Sequence, residues 1–130
     1  MSRAKAEKLL ADFLKRVEDA NGRDELSHYV HEAHIFGSYL NDDAKNLGDL
    51  DIAIELRLRQ IRGRDPVKHS QDRGIKAQKA GRRFRSSVEL MFFGEIEVRQ
   101  LLKGRGPYIS LHPMSDLEAT NAASRLIYKS

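Results

Sequence analysis

Two acidic side chains stand close together in the first half of the sequence, at Asp49 and Asp51. They open a segment in which apolar and polar residues alternate, and this pattern predicts a β-strand over Leu50–Leu56. Side chains two positions apart on a strand point to the same face, so the two carboxylates would lie side by side. Like charges so close repel each other unless a cation lies between them. Because Mg²⁺ binds through carboxylates and substrate phosphates, the pair is a candidate magnesium site.

A glycine and a serine precede this pair, directly after a second predicted strand, Tyr29–Phe36. Gly37 would let the backbone turn and come close to a ligand, and Ser38 offers a hydroxyl. A helical turn that starts after Ser38 would present free N–H groups to phosphate oxygens. The two residues are therefore candidates for binding the phosphate groups of a ligand.

A third acid is expected, because phosphoryl chemistry with two metal ions needs carboxylates on both sides of the ions. Glu89 is the candidate, since it is the one charge within the apolar segment Val88–Phe93. We predict a strand over Ser86–Phe93, where a lone acid has to face a cation, a partner or water. The alternative is a solvent-facing acid on an edge strand.

These residues resemble the signature of a known superfamily. Phe36-Gly37-Ser38, ten intervening residues and then Asp49-Leu50-Asp51-Ile52-Ala53-Ile54 are similar to the motif of the DNA polymerase beta-like nucleotidyltransferases, and most of all to the minimal nucleotidyltransferases of bacteria and archaea. The sequence departs from the family at three places. It has Tyr39-Leu40-Asn41 where an arginine is frequent, Gly48 where a serine is common, and Glu89 in place of the usual aspartate.

The resemblance implies transfer of a nucleoside monophosphate from an NTP to an acceptor hydroxyl, with two Mg²⁺ ions and with ATP as the expected nucleotide. Asp49, Asp51 and Glu89 would be the catalytic metal ligands, and Gly37 and Ser38 would bind the triphosphate. The implied acceptor is a protein or an RNA. Minimal members often act beside a helical HEPN protein, in some cases as antitoxin and toxin, and modify it with AMP.

The remaining elements follow from periodicity, caps and turns. The sequence predicts helices over 3–20, 66–80, 95–103 and 115–119, and strands over 29–36, 50–56, 86–93, 108–111 and 125–128. Asn21-Gly22 should end the first helix with a left-handed residue, and Asp65-Pro66 should start the second. This order predicts an α/β (α+β) fold, with one small mixed β-sheet flanked by helices, in a single nucleotidyltransferase-like domain over residues 1–130.

Composition narrows the class of protein. The chain is 40% hydrophobic and 32% charged, and no apolar run approaches the roughly 20 residues that a membrane helix needs. The first residues show no signal-peptide core, so we expect a cytoplasmic protein without a membrane partner. The lack of cysteine excludes disulfides, thiolate metal sites and a cysteine nucleophile.

The charge is unevenly distributed along the chain. Residues 1–56 carry 7 Lys/Arg against 12 Asp/Glu, whereas residues 57–130 carry 16 against 7. The basic half can face an anionic partner, or it can simply be a solvated surface. It also supports a second hypothesis, a catalytically weak relative that binds a protein or an RNA.

His28, His31 and His34 repeat every three residues, but on a strand this spacing alternates faces, so we interpret them as surface or packing residues.

Overall fold

The computed structural model describes residues 1–130 and contains four strands and five α-helices. The helices are α1 (Arg3–Asn21), α2 (Pro66–Lys79), α3 (Ser87–Met91), α4 (Phe93–Lys103) and α5 (Met114–Thr120). The strands are β1 (His28–Phe36), β2 (Leu50–Leu58), β3 (Ile109–Pro113) and β4 (Ser124–Lys129). A 3₁₀ turn, Gly37–Leu40, follows β1. None of the helices combines the length and the apolar character needed to cross a membrane.

The strands form one mixed sheet in the order β3-β2-β1-β4. β1 runs antiparallel to both β2 and β4, whereas β2 and β3 are parallel, and the segment that joins them contains α2, α3 and α4. A parallel pair needs such a long crossover, which is usually helical. The predicted mixed α+β fold with one small sheet is therefore confirmed.

The core lies between this sheet and the helices α1 and α4. Its members are almost fully buried apolar side chains: Phe13 and Val17 of α1, Val30 and Ile35 of β1, Leu50, Ile52 and Ile54 of β2, and Val98 and Leu102 of α4. Burying an aliphatic or aromatic side chain stabilises the fold by roughly 1.5–3 kcal/mol. Because the even-numbered residues of β2 are held in this core, the strand is rigid where Asp51 projects from its other face.

Most predicted elements are confirmed, with differences of at most two residues at their ends. α1 ends at Asn21 as predicted, but Gly22 has a φ of −82° and is not left-handed. The Asn21 side chain fixes this end instead, since it accepts from the Val30 N–H at 2.8 Å and donates to the Val30 carbonyl at 3.0 Å. The predicted N-cap of α2 is also present, where Asp65 accepts from Val67 and Lys68.

The strand predicted over Ser86–Phe93 is wrong, since this segment forms α3 and the start of α4. Ser86 is the N-cap of α3, and its hydroxyl accepts a hydrogen bond from the Glu89 N–H at 3.2 Å. A serine followed three residues later by a glutamate is the capping-box pattern of a helix start. A short apolar run is consistent with either element, so the cap and not the run decides.

Gly74 of α2 tests this helical assignment, because a Cβ there would overlap the backbone carbonyl oxygen of Leu90 in α3. Gly74→Ala is expected to lower the free energy of unfolding by about 1–2 kcal/mol, since overpacking outweighs the gain of about 1 kcal/mol in helix propensity. Thermal or denaturant unfolding measures it, with Lys76→Ala on the exposed face of α2 as the control. A more stable Gly74→Ala variant would contradict the close contact between α2 and α3.

Candidate active site on strand β2

The two aspartates occupy the start of β2. Asp49 is exposed and directly precedes the strand, and the Asp51 side chain is 33% exposed. Leu50 and Ile52, on the opposite face, are both fully buried. This alternation places an acidic pair on a strand that is held in the core from behind.

Gly37 lies directly beside the Asp51 carboxylate. Phe36, the last residue of β1, pairs with Asp51, and the chain then turns at Gly37 with a φ of +78°. A Cβ at residue 37 would lie 2.6 Å from Asp51 Oδ2, closer than real side chains come. The predicted turn at Gly37 is therefore present, and the backbone there lies close to the Asp51 carboxylate, while its approach to a ligand stays a prediction.

Ser38 ties the 3₁₀ turn to the loop that leads into β2. Its hydroxyl oxygen accepts a hydrogen bond from the Gly48 N–H at 3.1 Å. This bond brings the residue before Asp49 against the Gly-Ser turn, so the two predicted motifs form one continuous surface. Binding of a triphosphate by Gly37 and Ser38 stays a prediction.

His112 of β3 is the side chain that meets Asp51. Its Nε2 lies 3.2 Å from Asp51 Oδ1 and 3.1 Å from Ser110 Oγ, and its Nδ1 lies 3.3 Å from Asp116 Oδ2 at the start of α5. The ring also packs edge-on against Phe36, with centroids 5.1 Å apart. The parallel pairing of β2 with β3 sets Ser110 opposite Asp51 and so brings this polar group to the site.

Local sequence pattern indicates little of this polar group of β3. Ser110 and His112 alternate along β3, and Asp116 follows His112 by four residues, but the strand predicted over 108–111 ended before the histidine. The contact with Asp51 joins residues 61 positions apart, and only the sheet topology reveals such a pair.

Glu89 does not lie on a strand beside the aspartates. It belongs to α3, which packs against α2 and α4, and its N–H is bound by Ser86. No group of three or more His, Asp or Glu side chains is arranged to hold a metal ion. The strand argument that made Glu89 the third ligand therefore fails, and its place at the site is not supported.

A basic groove adjoins Asp49. It has a volume of about 370 Å³ and lies between β3 and α4, with Arg99 and Lys103 of α4 among its lining residues. The Arg99 guanidinium is partly engaged by Glu95 at 3.3 Å, while Lys103 forms no ion pair. Two cations next to an exposed carboxylate suit a ligand that carries both phosphate groups and a metal ion.

The donor set at β2 fits a divalent cation in its chemistry. The Asp51 carboxylate, the Ser110 hydroxyl and the His112 imidazole lie together at β2, and Asp49 is exposed just before the strand. Carboxylate oxygens suit Mg²⁺, and imidazole suits transition ions. Asp49 and Asp51 are the residues that would hold the ion.

The three histidines of β1 have separate partners. His28 Nδ1 lies 2.8 Å from Ser27 Oγ, His31 bonds with Ser130, and His34 bonds with Glu32. Burial lowers the pKa of His28, and the hydrogen bond from His34 lowers the pKa of the Glu32 carboxyl. The register shift between Val30 and Glu32 explains why the three-residue spacing does not simply alternate faces.

Residues 57–85 form a basic stretch rich in lysine and arginine. Some of these cations bind other groups of the fold, and others have no ion-pair partner. Arg59 donates to the carbonyls of Ala20 and Asn21 at the end of α1, and Arg73 makes a two-pronged ion pair with Glu97 at 2.9 Å. The exposed cations without an ion pair or an aromatic contact are Arg62, Lys68, Lys76, Lys79, Arg83 and Arg85, whereas Arg82 lies over the rings of Phe84 and Phe93. Part of the basic charge therefore supports the fold, and the rest is available to a partner.

Comparison with known proteins agrees with this geometry. The family model of the nucleotidyltransferase domain matches residues 12–128, a range that includes β1, the Gly-Ser turn, β2 and His112. Neither the search of curated proteins nor the search of solved structures returned a match. Because the matched range covers most of the 130 residues, the chain belongs to the nucleotidyltransferase-domain family of the polymerase beta-like superfamily.

Proposed function

We propose that the chain is a Mg²⁺-dependent nucleotidyltransferase that transfers a nucleoside monophosphate, with AMP from ATP as our expectation, to a hydroxyl of a protein or RNA acceptor. The observation that carries the proposal is the Asp49–Asp51 pair on a core-held strand, with the Asp51 carboxylate against Gly37. The family match supports the reaction class.

The protein's part in such a reaction is to position groups and to neutralise charge. Asp49 and Asp51 hold the divalent cation, which supplies charge neutralisation at the phosphates when it is bound. Gly37 leaves room for the Asp51 carboxylate, and Ser38 fixes the loop before Asp49. Arg99 and Lys103, in the groove beside Asp49, attract the anionic nucleotide or its acceptor.

We propose further that the chain acts as a minimal nucleotidyltransferase with a partner chain, for which a HEPN-like protein in a toxin-antitoxin pair is our expectation. A surface with four half-exposed apolar side chains supports a protein partner: Val67, Val88, Met91 and Phe92 are between 53% and 58% exposed. Three of these four also line a pocket of about 210 Å³ where α2 and α4 meet. Contiguous apolar surface of this kind is typical of protein–protein contact.

The alternative function is a binding module without strong catalysis. It is favoured by the lack of a three-carboxylate cluster and by the exposed arginines Arg82, Arg83 and Arg85. Charge reversal at Arg82 and Arg83 tests it, since it would abolish partner binding in a module that works through the basic half. Transfer activity with normal partner binding in that variant would count against the module.

The enzyme proposal is tested with ATP labelled at either the α- or the γ-phosphate. The chain is incubated with Mg²⁺ and each candidate acceptor, and the acceptor is then analysed by mass spectrometry. Nucleotidyl transfer moves the α-label to the acceptor, adds the mass of one AMP and releases pyrophosphate. Transfer of the γ-label would instead indicate a kinase-type reaction and would reject the proposal.

A further inference from the structure

The ring of His112 lies between two carboxylates. Nε2 faces Asp51 Oδ1 at 3.2 Å, and Nδ1 faces Asp116 Oδ2 at 3.3 Å. Ionised carboxylates only accept hydrogen bonds, and a neutral imidazole has one N–H and one lone pair. A neutral ring can therefore donate to only one of the two acids. Its other nitrogen carries a lone pair, which needs a cation or a hydrogen-bond donor as its partner.

The neighbouring groups indicate which nitrogen carries the proton. Asp116 is the sole polar partner of Nδ1, and an ionised carboxylate only accepts, so the tautomer that satisfies this contact carries its proton on Nδ1. The Ser110 hydroxyl, whose Oγ lies 3.1 Å from Nε2, can donate to that nitrogen, which fits a lone pair on Nε2. Metal-binding histidines usually show this arrangement, with the second ring N–H donated to a carboxylate.

The distance between His112 and Asp51 also suits two ligands of one ion. Ligands at about 2.0–2.2 Å from an ion and at right angles to each other lie about 3 Å apart. The observed separation of Nε2 and Oδ1 is 3.2 Å. The pair thus has the spacing of neighbouring ligands, on the side of β2 that carries the acidic pair.

We propose that His112 is a metal ligand through Nε2 beside Asp51 and that Asp116 is the residue that positions it. This inference rests on the metal site of the proposed function and adds a nitrogen donor from β3 to it. Imidazole favours transition ions over Mg²⁺, whereas oxygen ligands do not. The site should therefore bind a transition ion such as Mn²⁺ more tightly than Mg²⁺.

Mn²⁺ is the probe for this inference, with the full chain and with electron paramagnetic resonance as the readout. In the wild type we expect nitrogen coupling to the bound Mn²⁺ that changes when the histidines carry ¹⁵N. His112→Gln should remove the coupling and weaken Mn²⁺ binding by at least about 10-fold. His112→Asp should lack the coupling, keep Mn²⁺ bound and shift the preference toward Mg²⁺.

The matched controls separate coordination from a merely structural role. His31→Gln changes another histidine, on β1, and should leave both coupling and affinity intact. Asp116→Asn should weaken binding by about 10–100-fold and alter the nitrogen coupling, because the ring loses its carboxylate partner. Circular dichroism verifies that each variant is folded, and the 28% exposure of His112 makes its replacement tolerable.

Failure of this inference differs from failure of the proposed function. If Mn²⁺ binds in an Asp51-dependent way without nitrogen coupling, and His112→Gln binds it equally well, His112 is not a ligand and the two-aspartate site stands. If the wild type binds no Mn²⁺ even with ATP present, both the metal site and the role of His112 are rejected.

Discussion

Asp51→Asn is expected to lower the rate of nucleotidyl transfer by about 10²–10³-fold, the scale on which loss of one charge-stabilising group acts. The change removes the charge that holds the cation and keeps the shape of the side chain. The amide of an asparagine can donate to the Nε2 lone pair of His112, so the sheet and the helices around the site should be unchanged. Initial rates of α-label transfer to the acceptor measure the effect.

Glu55→Gln is the matched control for this prediction. Glu55 lies four residues farther along the same face of β2 and pairs with Arg57 at the surface. Glu55→Gln removes the same charge at a residue that does not contact the site, so the transfer rate of this variant should equal that of the wild type. If both variants lose transfer rate equally, the loss comes from the lower negative charge of β2 as a whole, and the specific role of Asp51 is refuted.

Gly37→Ala is expected to lower transfer by about 100-fold, because a displacement of about 1 Å at a reacting group costs this much. The new Cβ would meet Asp51 Oδ2 at 2.6 Å and would push the carboxylate away from its place. The variant should also lose about 1–2 kcal/mol of stability from the positive φ. Transfer rates and thermal unfolding measure the two effects separately.

Gly63→Ala is the control that isolates the backbone term. Gly63 has a φ of +80°, close to the +78° of Gly37, but a Cβ there meets no atom within 4 Å. It should show the same loss of stability with normal transfer. If Gly63→Ala and Gly37→Ala are equally active, contact with Asp51 is not what the glycine at position 37 provides.

The sequence predicts the part of the site that depends on local pattern. Alternation over Leu50–Leu56 places Asp51 opposite Leu50 and Ile52, and the structure has this arrangement because those leucine and isoleucine side chains have to be buried. The break at Gly37 is predictable for the same reason, since a glycine after an apolar strand end is a turn signal. Both follow from neighbours within a few residues.

The sequence does not predict the helix at Glu89 or the contact of His112 with Asp51. The first depends on a helix cap, and the second depends on long-range strand pairing. The apolar run around Glu89 fits a strand or a helix equally well, and the Ser86 cap selects the helix. His112 reaches Asp51 only because β3 pairs in parallel with β2 after a crossover of three helices. No local pattern fixes this register, so the polar group of β3 could be found only in the folded chain.

Calorimetric titration of ATP with Mg²⁺ into the wild type and into Asp51→Asn is the most direct test of the acidic pair as a nucleotide-metal site. We expect saturable binding to the wild type that needs the divalent ion, and a loss of at least about 10-fold in affinity in Asp51→Asn. Glu55→Gln should bind as the wild type does. No nucleotide binding by the wild type, or undiminished binding by Asp51→Asn, would contradict the assignment.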